Sequence, residues 1–412
     1  MGRTKRKRLK KYEQNSINLC YEEHLVSLQK WMSNKGWKNH KKLSLKLFPE
    51  TGRGISSKIT VGANEVLLSI PMNIMITYTT VKLDIPVKNI FTIHESLALF
   101  LIKEKEKGIN SYWRDYINSL PEKLPPLTWL ANEEEIESFP SDIKLNVEYT
   151  TTNFKNFLNK IRDFIPNNST LADSLLKWAY VMVNTRAVYV DPHIICEESS
   201  LNLLKDEPSM ALCPFLDMFN HNYLSNTEVS IINEGRCLFY ELRTLSSCKK
   251  YEQIFISYGN HDNVKLLTEY GFFLPDNCYD NIKFTLDEVL KILKFNLDNN
   301  KYKFIKEHDL HNNLYIGYDG VSYNLKAVLF IGWCGVINRL DSIIFSSNYP
   351  SLFLEKKLPD LIKGLLVIKK NEFTNDLRQI MSGRIVTESA QMVLEFVKFR
   401  IDFISEVILE YR

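Results

Sequence analysis

The spacing of hydrophobic residues changes along the chain, and each change predicts a different secondary structure. Apolar residues recur at helical spacing over 21–35, which predicts a helix that Gly36 ends. Residues 42–70 instead carry short β-prone runs separated by proline and glycine turns, and residues 66–70 predict a strand. The chain therefore begins with a helix and continues into a β-rich segment.

The helical spacing returns in the middle of the chain and then gives way to strands again. Three stretches predict helices, the last of them apolar nearly all round and therefore buried: 94–108, 133–165 and 171–183. Three short runs predict strands: 227–232, 236–240 and 253–257. After about residue 280 the amphipathic pattern predicts helices to the end of the chain.

This order of elements predicts an α+β fold made of two domains. A β-rich domain over 19–278 is split by a helical insertion at about 93–210, and an all-helical domain follows over 279–412. Hydrophobic residues make up 45% and charged residues 25% of the 412 residues, which is ordinary for a globular protein and excludes wholesale disorder. The longest clean apolar run, 327–337, is too short to span a membrane.

Charge and cysteine content bear on two further classes of protein, those that bind nucleic acids and those that bind zinc. The net charge is +3, and six of the seven residues 5–11 are basic. Residues 1–18 are predicted to be a disordered tail, and the basic cluster is interpreted either as a solvating segment or as a nuclear-import signal. No basic stripe interleaved with aromatic residues recurs, so a strong nucleic-acid footprint is not predicted. The seven cysteines include no C-x-x-C pair, which argues against a zinc ribbon.

Three polar clusters stand out from apolar surroundings. The first, residues 50–54, is a tight Gly-x-Gly turn, which either closes a hairpin or lets backbone approach a ligand. The second, residues 212–222, places Asp, Asn and His among large apolar residues, and these polar groups need partners if they are buried. The third couples a Tyr-Gly at 258–259 to another Tyr-Gly at 270–271.

Taken in order, these clusters resemble the SET-domain methyltransferases. The helical insertion and the helical C-terminal region are similar to those of the Rubisco large-subunit methyltransferase branch of that family. The resemblance implies a protein-lysine N-methyltransferase that uses S-adenosylmethionine, contains no metal, and binds its protein substrate partly through the C-terminal domain. A histone or non-histone protein substrate, a monomeric state and a location in nucleus and cytoplasm are the further expectations.

The resemblance also implies roles for individual residues. Those expected to bind the cofactor are Thr51, Gly52, Arg53, Arg186, Asp217, Asn220, His221 and Tyr258. Tyr258 is the expected catalytic residue, because it would line the methyl-transfer channel. Those expected to bind the substrate are Thr185, Asp217, Tyr270 and Phe272, the first two through backbone carbonyls.

The chemistry of methyl transfer explains these residue types. The displacement requires nitrogen, carbon and sulfur in line, so positioning is the main contribution of the protein. A nearby sulfonium lowers the pKa of the lysine amine, so a strong general base is not required. Two alternatives remain: a catalytically idle SET scaffold that binds a partner protein, and a histidine N-methyltransferase. The actin-histidine enzymes of the branch carry Asn and Trp where this sequence has Val188 and Leu216, which favours lysine.

Overall fold

A computed structural model describes residues 16–38, 42–82, 90–164, 172–195, 203–235, 237–335 and 340–410. Within these ranges the strands are β1 (Ile17–Asn18), β2 (Leu43–Phe48), β3 (Gly52–Ser57), β4 (Val66–Pro71), β5 (Ala187–Tyr189), β6 (Met210–Leu212), β7 (Asn220–His221), β8 (Thr227–Glu234), β9 (Cys237–Thr244), β10 (Gln253–Ile256), β11 (Asn281–Phe284), β12 (Leu314–Gly317) and β13 (Gly320–Val321).

The same ranges contain helices α1 (Glu23–Asn34), α2 (Tyr78–Val81), α3 (Ile93–Lys107), α4 (Arg114–Ser119), α5 (Glu133–Glu137), α6 (Ser141–Phe164), α7 (Asp173–Arg186), α8 (Pro192–Ile195), α9 (Asn263–Lys265), α10 (Leu286–Leu293), α11 (Asn299–Glu307), α12 (Tyr323–Trp333), α13 (Leu340–Phe345), α14 (Leu358–Ser382) and α15 (Glu388–Glu410). Two π-helical turns, Leu266–Tyr270 and Phe353–Lys357, precede Gly271 and α14 respectively.

The chain divides into two compact units, the first formed by residues 1–124 and 152–260. Its main sheet has the strand order β1-β2-β3-β10-β7, antiparallel throughout except for the parallel pair β10–β7. An antiparallel sheet β4-β9-β8 and the pair β5–β6 complete its strands within the described residues. Helix α3 begins at a capping box of Thr92 and Glu95, and it packs against α7 through buried side chains such as Leu97.

The second unit is formed by residues 125–151 and 261–412. Helices α14 and α15 pack together in it, and α10 packs on α14. The buried Glu135 carboxylate accepts hydrogen bonds from the backbone N–H groups of Val386 and Thr387 at 2.7 and 3.0 Å, which ties α5 to the start of α15. Such a carboxylate satisfies backbone donors that a helix N-terminus otherwise leaves unpaired.

The α+β fold class is confirmed, with two differences in detail. The C-terminal region is mainly helical but also contains the antiparallel sheet β11-β12-β13, which the helical pattern after residue 280 did not predict. The predicted tail over 1–18 includes Ile17 and Asn18, which pair with β2 as an edge strand, while residues 1–15 lie outside the described ranges. The domain boundary after residue 278 stays a prediction beside the structural division after residue 260.

Candidate active site

The first two polar clusters singled out in the sequence and the Tyr258–Gly259 part of the third meet in the first unit, where β3, β10 and β7 lie side by side. Strand β7 pairs with β10 so that Asn220 lies opposite Phe255 and His221 opposite Ile256. The Asn220 side chain donates from Nδ2 to the Arg53 carbonyl oxygen at 2.9 Å. This bond joins the Gly-x-Gly turn to the Asn-His segment directly.

The Gly-x-Gly turn requires glycine for two different reasons. Gly52 has φ +69°, a left-handed conformation that side chains other than glycine rarely adopt. At Gly54 a Cβ atom would come within 2.7 Å of Gln253 Nε2 and 2.8 Å of Asn220 Nδ2, so only glycine lets these amides approach the strand. Thr51 and Gln253 also hydrogen-bond through their side chains, at 2.9 and 3.1 Å.

Tyr258 lies beyond the end of β10 and contacts the Asn-His segment in three ways. Its hydroxyl donates to the Phe219 carbonyl oxygen at 2.7 Å, and its backbone N–H donates to His221 Nδ1 at 3.0 Å. Its ring stacks on the buried His221 ring with centroids 5.1 Å apart. Because Nδ1 accepts this bond, the neutral His221 ring carries its proton on Nε2. Tyr258 is thus held at both its backbone and its hydroxyl.

Arg186 and Asp217 form a buried ion pair beside these segments. Arg186 is the last residue of α7, and its Nη1 donates to the Asp217 carbonyl oxygen at 2.8 Å. The same nitrogen lies 3.5 Å from Asp217 Oδ2, and the Asp217 side chain is only 1% exposed. Burial raises the pKa of this carboxyl group, although the Arg186 and Arg53 charges oppose the change.

Arg53 brings a second guanidinium to this carboxylate. Its Nη1 donates to the Ser119 carbonyl oxygen at 2.7 Å, which directs the side chain inward from β3. Burial lowers the pKa of Arg53, and the neighbouring Arg186 charge lowers it further. Two positive charges therefore lie near one buried carboxylate. Tyr116 donates to that carboxylate, from its hydroxyl to Asp217 Oδ2 at 3.1 Å.

This cluster leaves polar atoms that are suited to a bound ligand. Arg53 Nη2, Arg186 Nε and Asp217 Oδ1 are buried and have no hydrogen-bond partner among the described residues. Buried polar groups are normally paired, so unpartnered donors and acceptors at one place favour a ligand-binding site. Two guanidinium donors and one carboxylate acceptor match the carboxylate and ammonium of an amino acid, which S-adenosylmethionine carries at one end. The residues present therefore fit the expected cofactor.

The predicted site residues that remain are Thr185, Tyr270 and Phe272. Thr185 is in the last turn of α7, where its hydroxyl donates to the Val181 carbonyl oxygen at 2.8 Å. Tyr270 and Phe272 belong to the second unit, with ring centroids 6.3 Å apart. Burial raises the pKa of Tyr270 to about 12, so it keeps its proton at neutral pH. Their predicted role in substrate binding stays a prediction.

Sequence reasoning missed three residues that complete the cluster. Tyr116 and Ser119 lie on α4, inside the predicted insertion, and Gln253 opens β10. The segment RDYINS carries no motif, and the one usable signal was a tyrosine beside the apolar Ile117 in a short helix. Their contacts reach across 66 to 202 positions of the chain, which local patterns do not encode.

Among the residues that the structure describes, no group of three or more His, Cys, Asp or Glu side chains is arranged to hold a metal ion. No helix in the described ranges is both long and apolar enough to cross a membrane.

Comparisons with known proteins identify close relatives, although no family model matches the chain. SET domain-containing protein 4 of Mus musculus is 30% identical over 353 residues, covering 80% of this chain and 77% of the relative. The protein of the same name from Artemia parthenogenetica is 30% identical over 374 residues, covering 88% and 91%. Within the branch, segments 183–189, 216–221 and 258–272 resemble SET domain-containing protein 4 in particular, and the identity over most of the chain confirms its resemblance to that protein.

More distant relatives and solved structures complete the comparison. A ribosomal lysine N-methyltransferase of Schizosaccharomyces pombe is 24% identical over 306 residues, and an actin-histidine N-methyltransferase of Xenopus tropicalis is 27% identical over 282 residues. They cover 73% and 64% of this chain, and 73% and 46% of their own lengths. The solved SET domain of LSMT bound to lysine and AdoHcy shares the fold, with a TM-score of 0.60 at 17% identity over 95% of this chain and 91% of that one.

Proposed function

Because this chain belongs to the family of SET-domain methyltransferases that includes SET domain-containing protein 4, we propose that it is a protein-lysine N-methyltransferase. The donor is S-adenosylmethionine, in keeping with the family and with the polar atoms of the site. One observation carries the proposal: the Gly52 turn, the Asn220 segment and Tyr258 converge through direct hydrogen bonds. If these three segments lay apart in the structure, the proposal would have no structural support.

Backbone and side-chain groups of this convergence are proposed to hold the cofactor. The open backbone of the turn at Thr51, Gly52 and Arg53 would contact it, together with Asn220 and His221. The guanidinium of Arg186 would bind its carboxylate, because a charge-assisted hydrogen bond in a buried site is strong. Asp217 would accept from its ammonium through the unpartnered Oδ1.

The reaction itself is an in-line displacement. S-adenosylmethionine supplies a methyl group on a sulfonium, so a nitrogen–carbon bond forms while the carbon–sulfur bond breaks and sulfur keeps the electron pair. The lysine amine would first lose a proton to solvent, because a sulfonium charge nearby lowers the pKa of that amine. The Tyr258 hydroxyl, fixed on the Phe219 carbonyl, would orient the amine for attack.

Two apolar residues support lysine rather than histidine as the target. Val188 in β5 is half-buried and Leu216 is 1% exposed, so neither supplies a hydrogen-bond partner for an imidazole ring. The aliphatic part of a lysine side chain can pack against such residues without losing a hydrogen bond. A histidine ring nitrogen buried there would lose its hydrogen bonds to water and gain none from the protein, which costs free energy. The weaker similarity to actin-histidine N-methyltransferases makes histidine the second candidate.

The substrate and the location are proposed on sequence grounds. We propose a histone or another protein as substrate, with a monomeric enzyme acting in nucleus and cytoplasm. The basic residues 5–11, which are typical of a nuclear-import signal, support the nuclear part. Fractionation of cells that express the full chain, with and without these residues, tests it; equal nuclear amounts would contradict it.

The catalytic proposal is tested by Tyr258→Phe. Losing the hydroxyl that orients the amine is expected to lower kcat about 100-fold, while the affinity for S-adenosylmethionine changes less than about threefold. Labelled methyl transfer to proteins of a cell extract measures the first, and isothermal titration calorimetry the second. Tyr240→Phe is the matched control, because its hydroxyl also donates to a backbone carbonyl, that of Tyr189 at 2.9 Å.

The outcomes separate the candidate functions. Methyl-lysine identified by mass spectrometry in the labelled proteins supports the proposal, and methyl-histidine replaces it with the second candidate. Cofactor binding without transfer to any protein favours an idle scaffold. A Tyr258→Phe variant with full turnover removes Tyr258 from its catalytic role.

A further inference from the structure

Helix α4 contacts the Arg53 side chain and the Asp217 carboxylate, although the sequence places it in the helical insertion. Its Tyr116 is fully buried and donates from its hydroxyl to Asp217 Oδ2 at 3.1 Å. Its Ser119 accepts from Arg53 at its carbonyl oxygen and donates from its hydroxyl to the Tyr116 carbonyl oxygen at 2.6 Å. One short helix thus positions both the Asp217 carboxylate and one of the two arginines, Arg53.

The Asp217 carboxylate is the point where these contacts meet. Oδ2 receives the Tyr116 hydroxyl and also lies 3.5 Å from Arg186 Nη1, while Oδ1 has no partner among the described residues. The two oxygens of an ionised carboxylate are equivalent, so what matters is the orientation of the carboxylate plane, and a partial rotation would turn both oxygens away from these positions. The Tyr116 hydrogen bond holds that plane, because the Arg186 guanidinium bonds mainly to the Asp217 backbone carbonyl, at 2.8 Å.

We propose that Tyr116 is a positioning residue for the cofactor site: its hydroxyl fixes the Asp217 carboxylate so that Oδ2 faces Arg186 and Oδ1 is turned toward the bound amino-acid end of the cofactor. This inference rests on the proposed function. Tyr116 does not act on the methyl group or the lysine, and its effect reaches the cofactor only through Asp217.

The proposal implies a particular dependence on pH. The charged and titratable groups that act on Asp217 are Arg53, Arg186, Tyr116 and Cys213. The Tyr116 hydrogen bond favours the ionised carboxylate, so removing it raises the pKa of Asp217 above its already raised value. Affinity for an ammonium-bearing ligand then falls at a higher pH than in the unmodified protein.

The test compares Tyr116→Phe with Tyr240→Phe, another buried tyrosine of the same unit. Binding of S-adenosylmethionine is measured by calorimetry from pH 5.5 to 8.5. Tyr116→Phe is expected to weaken binding about tenfold and to move the acid-side loss of affinity to higher pH, as expected for a hydrogen bond to a charged group. Tyr240→Phe should do neither. Melting temperatures of the ligand-free variants show whether both fold.

A double variant distinguishes positioning from a general packing effect. If Tyr116 acts through Asp217, Tyr116→Phe has no further effect on affinity in an Asp217→Ala background, because the group that accepts its hydrogen bond is already gone. Additive losses would overturn the proposal, and so would unchanged affinity and pH profile in Tyr116→Phe. Failure of the unmodified protein to bind the cofactor would instead overturn the proposed function.

Discussion

Each unit contains an arginine–aspartate pair, and the two pairs differ in which partner is buried and in what surrounds it. In the first unit the Asp217 side chain is 1% exposed and Arg186 is 19% exposed. In the second, Arg400 is 4% exposed and Asp142 is 40% exposed. Burial raises the pKa of Asp217, whereas the Arg400 charge and hydrogen bonds outweigh burial and lower the pKa of Asp142.

The two arginines, Arg186 and Arg400, also differ in the groups that surround their guanidinium ends. The Arg400 guanidinium lies 4.3 Å from the Phe373 ring centroid and 4.8 Å from that of Phe396, and it hydrogen-bonds Asp142. Its neighbours are therefore already in place, as expected for a pair that stabilises a fold. Each arginine has one buried nitrogen without a hydrogen-bond partner among the described residues, Arg186 Nε and Arg400 Nη1. The first pair differs because Asp217 Oδ1 and the neighbouring Arg53 Nη2 are buried and unpartnered as well, which is typical of a binding site.

The largest expected effect is on ligand binding at the first pair. Arg186→Ala is expected to weaken binding of S-adenosylmethionine about 100-fold. The change removes a charged hydrogen-bond donor, and it leaves the buried Asp217 carboxylate without the guanidinium that pairs with it. Calorimetry measures the dissociation constant. Arg243→Ala, an arginine of β9 that pairs with Glu241 at 3.7 Å, is the control. Unchanged affinity in Arg186→Ala would move the cofactor pocket elsewhere.

A smaller effect, on stability instead of binding, is expected at the second pair. Arg400→Met should lower the free energy of unfolding by about 2 kcal/mol, less than the loss typical of a fully buried pair because Asp142 remains in contact with water. Urea denaturation measures this value, with the exposed Arg378→Met of α14 as control. Cofactor affinity should stay within about twofold. A large loss of affinity at unchanged stability would reverse the roles of the two pairs.

The smallest and most specific effect is the opposite pH dependence of the two acids. The pKa of Asp142 lies below its ordinary 3.8, so its contribution to stability is present above that value and is lost as the pH falls through the folded pKa. The pKa of Asp217 lies above 3.8, so the unfolded chain ionises first and the group increasingly disfavours folding as the pH rises.

Two asparagine variants measure this difference. Unfolding free energies of Asp142→Asn and Asp217→Asn are compared with the unmodified protein by urea denaturation between pH 3.5 and 7. The advantage of the unmodified protein over Asp142→Asn should shrink toward acid pH. Relative to Asp217→Asn, the unmodified protein should instead lose stability as the pH rises. If both stability differences changed with pH in the same direction, the predicted opposite pKa shifts of Asp142 and Asp217 would be wrong.

Much of the site could be predicted from sequence because its key residues occupy local motifs. The Gly52 turn, the Asn220–His221 pair and Tyr258 each lie in a turn or at the end of a strand. The resemblance to the SET-domain methyltransferases assigns all three to one site. The side-chain role of Arg53 was not foreseen, since only its backbone belonged to the motif. Its inward orientation depends on the Ser119 carbonyl, 66 positions away.

Long helices were predicted more successfully than short strands. The amphipathic patterns of α14 and α15 extend over many turns, so their period is unambiguous. Strands β11, β12 and β13 have 4, 4 and 2 residues, too few for an alternating pattern to compete with the helical signal around them. Their pairing is decided by contacts between segments some thirty residues apart.

The parallel pairing of β7 with β10 makes the site sensitive to single-residue changes in chain length. Only Asn220 and His221 align with β10, so a slip of one position would turn the Asn220 side chain to the other face of the sheet and away from Arg53. A one-residue deletion between Phe219 and Asn222 should therefore silence the enzyme while leaving it folded. Extra residues at the tip of the β8–β9 hairpin, near Gly235, should be harmless, which makes that tip a suitable place for a label.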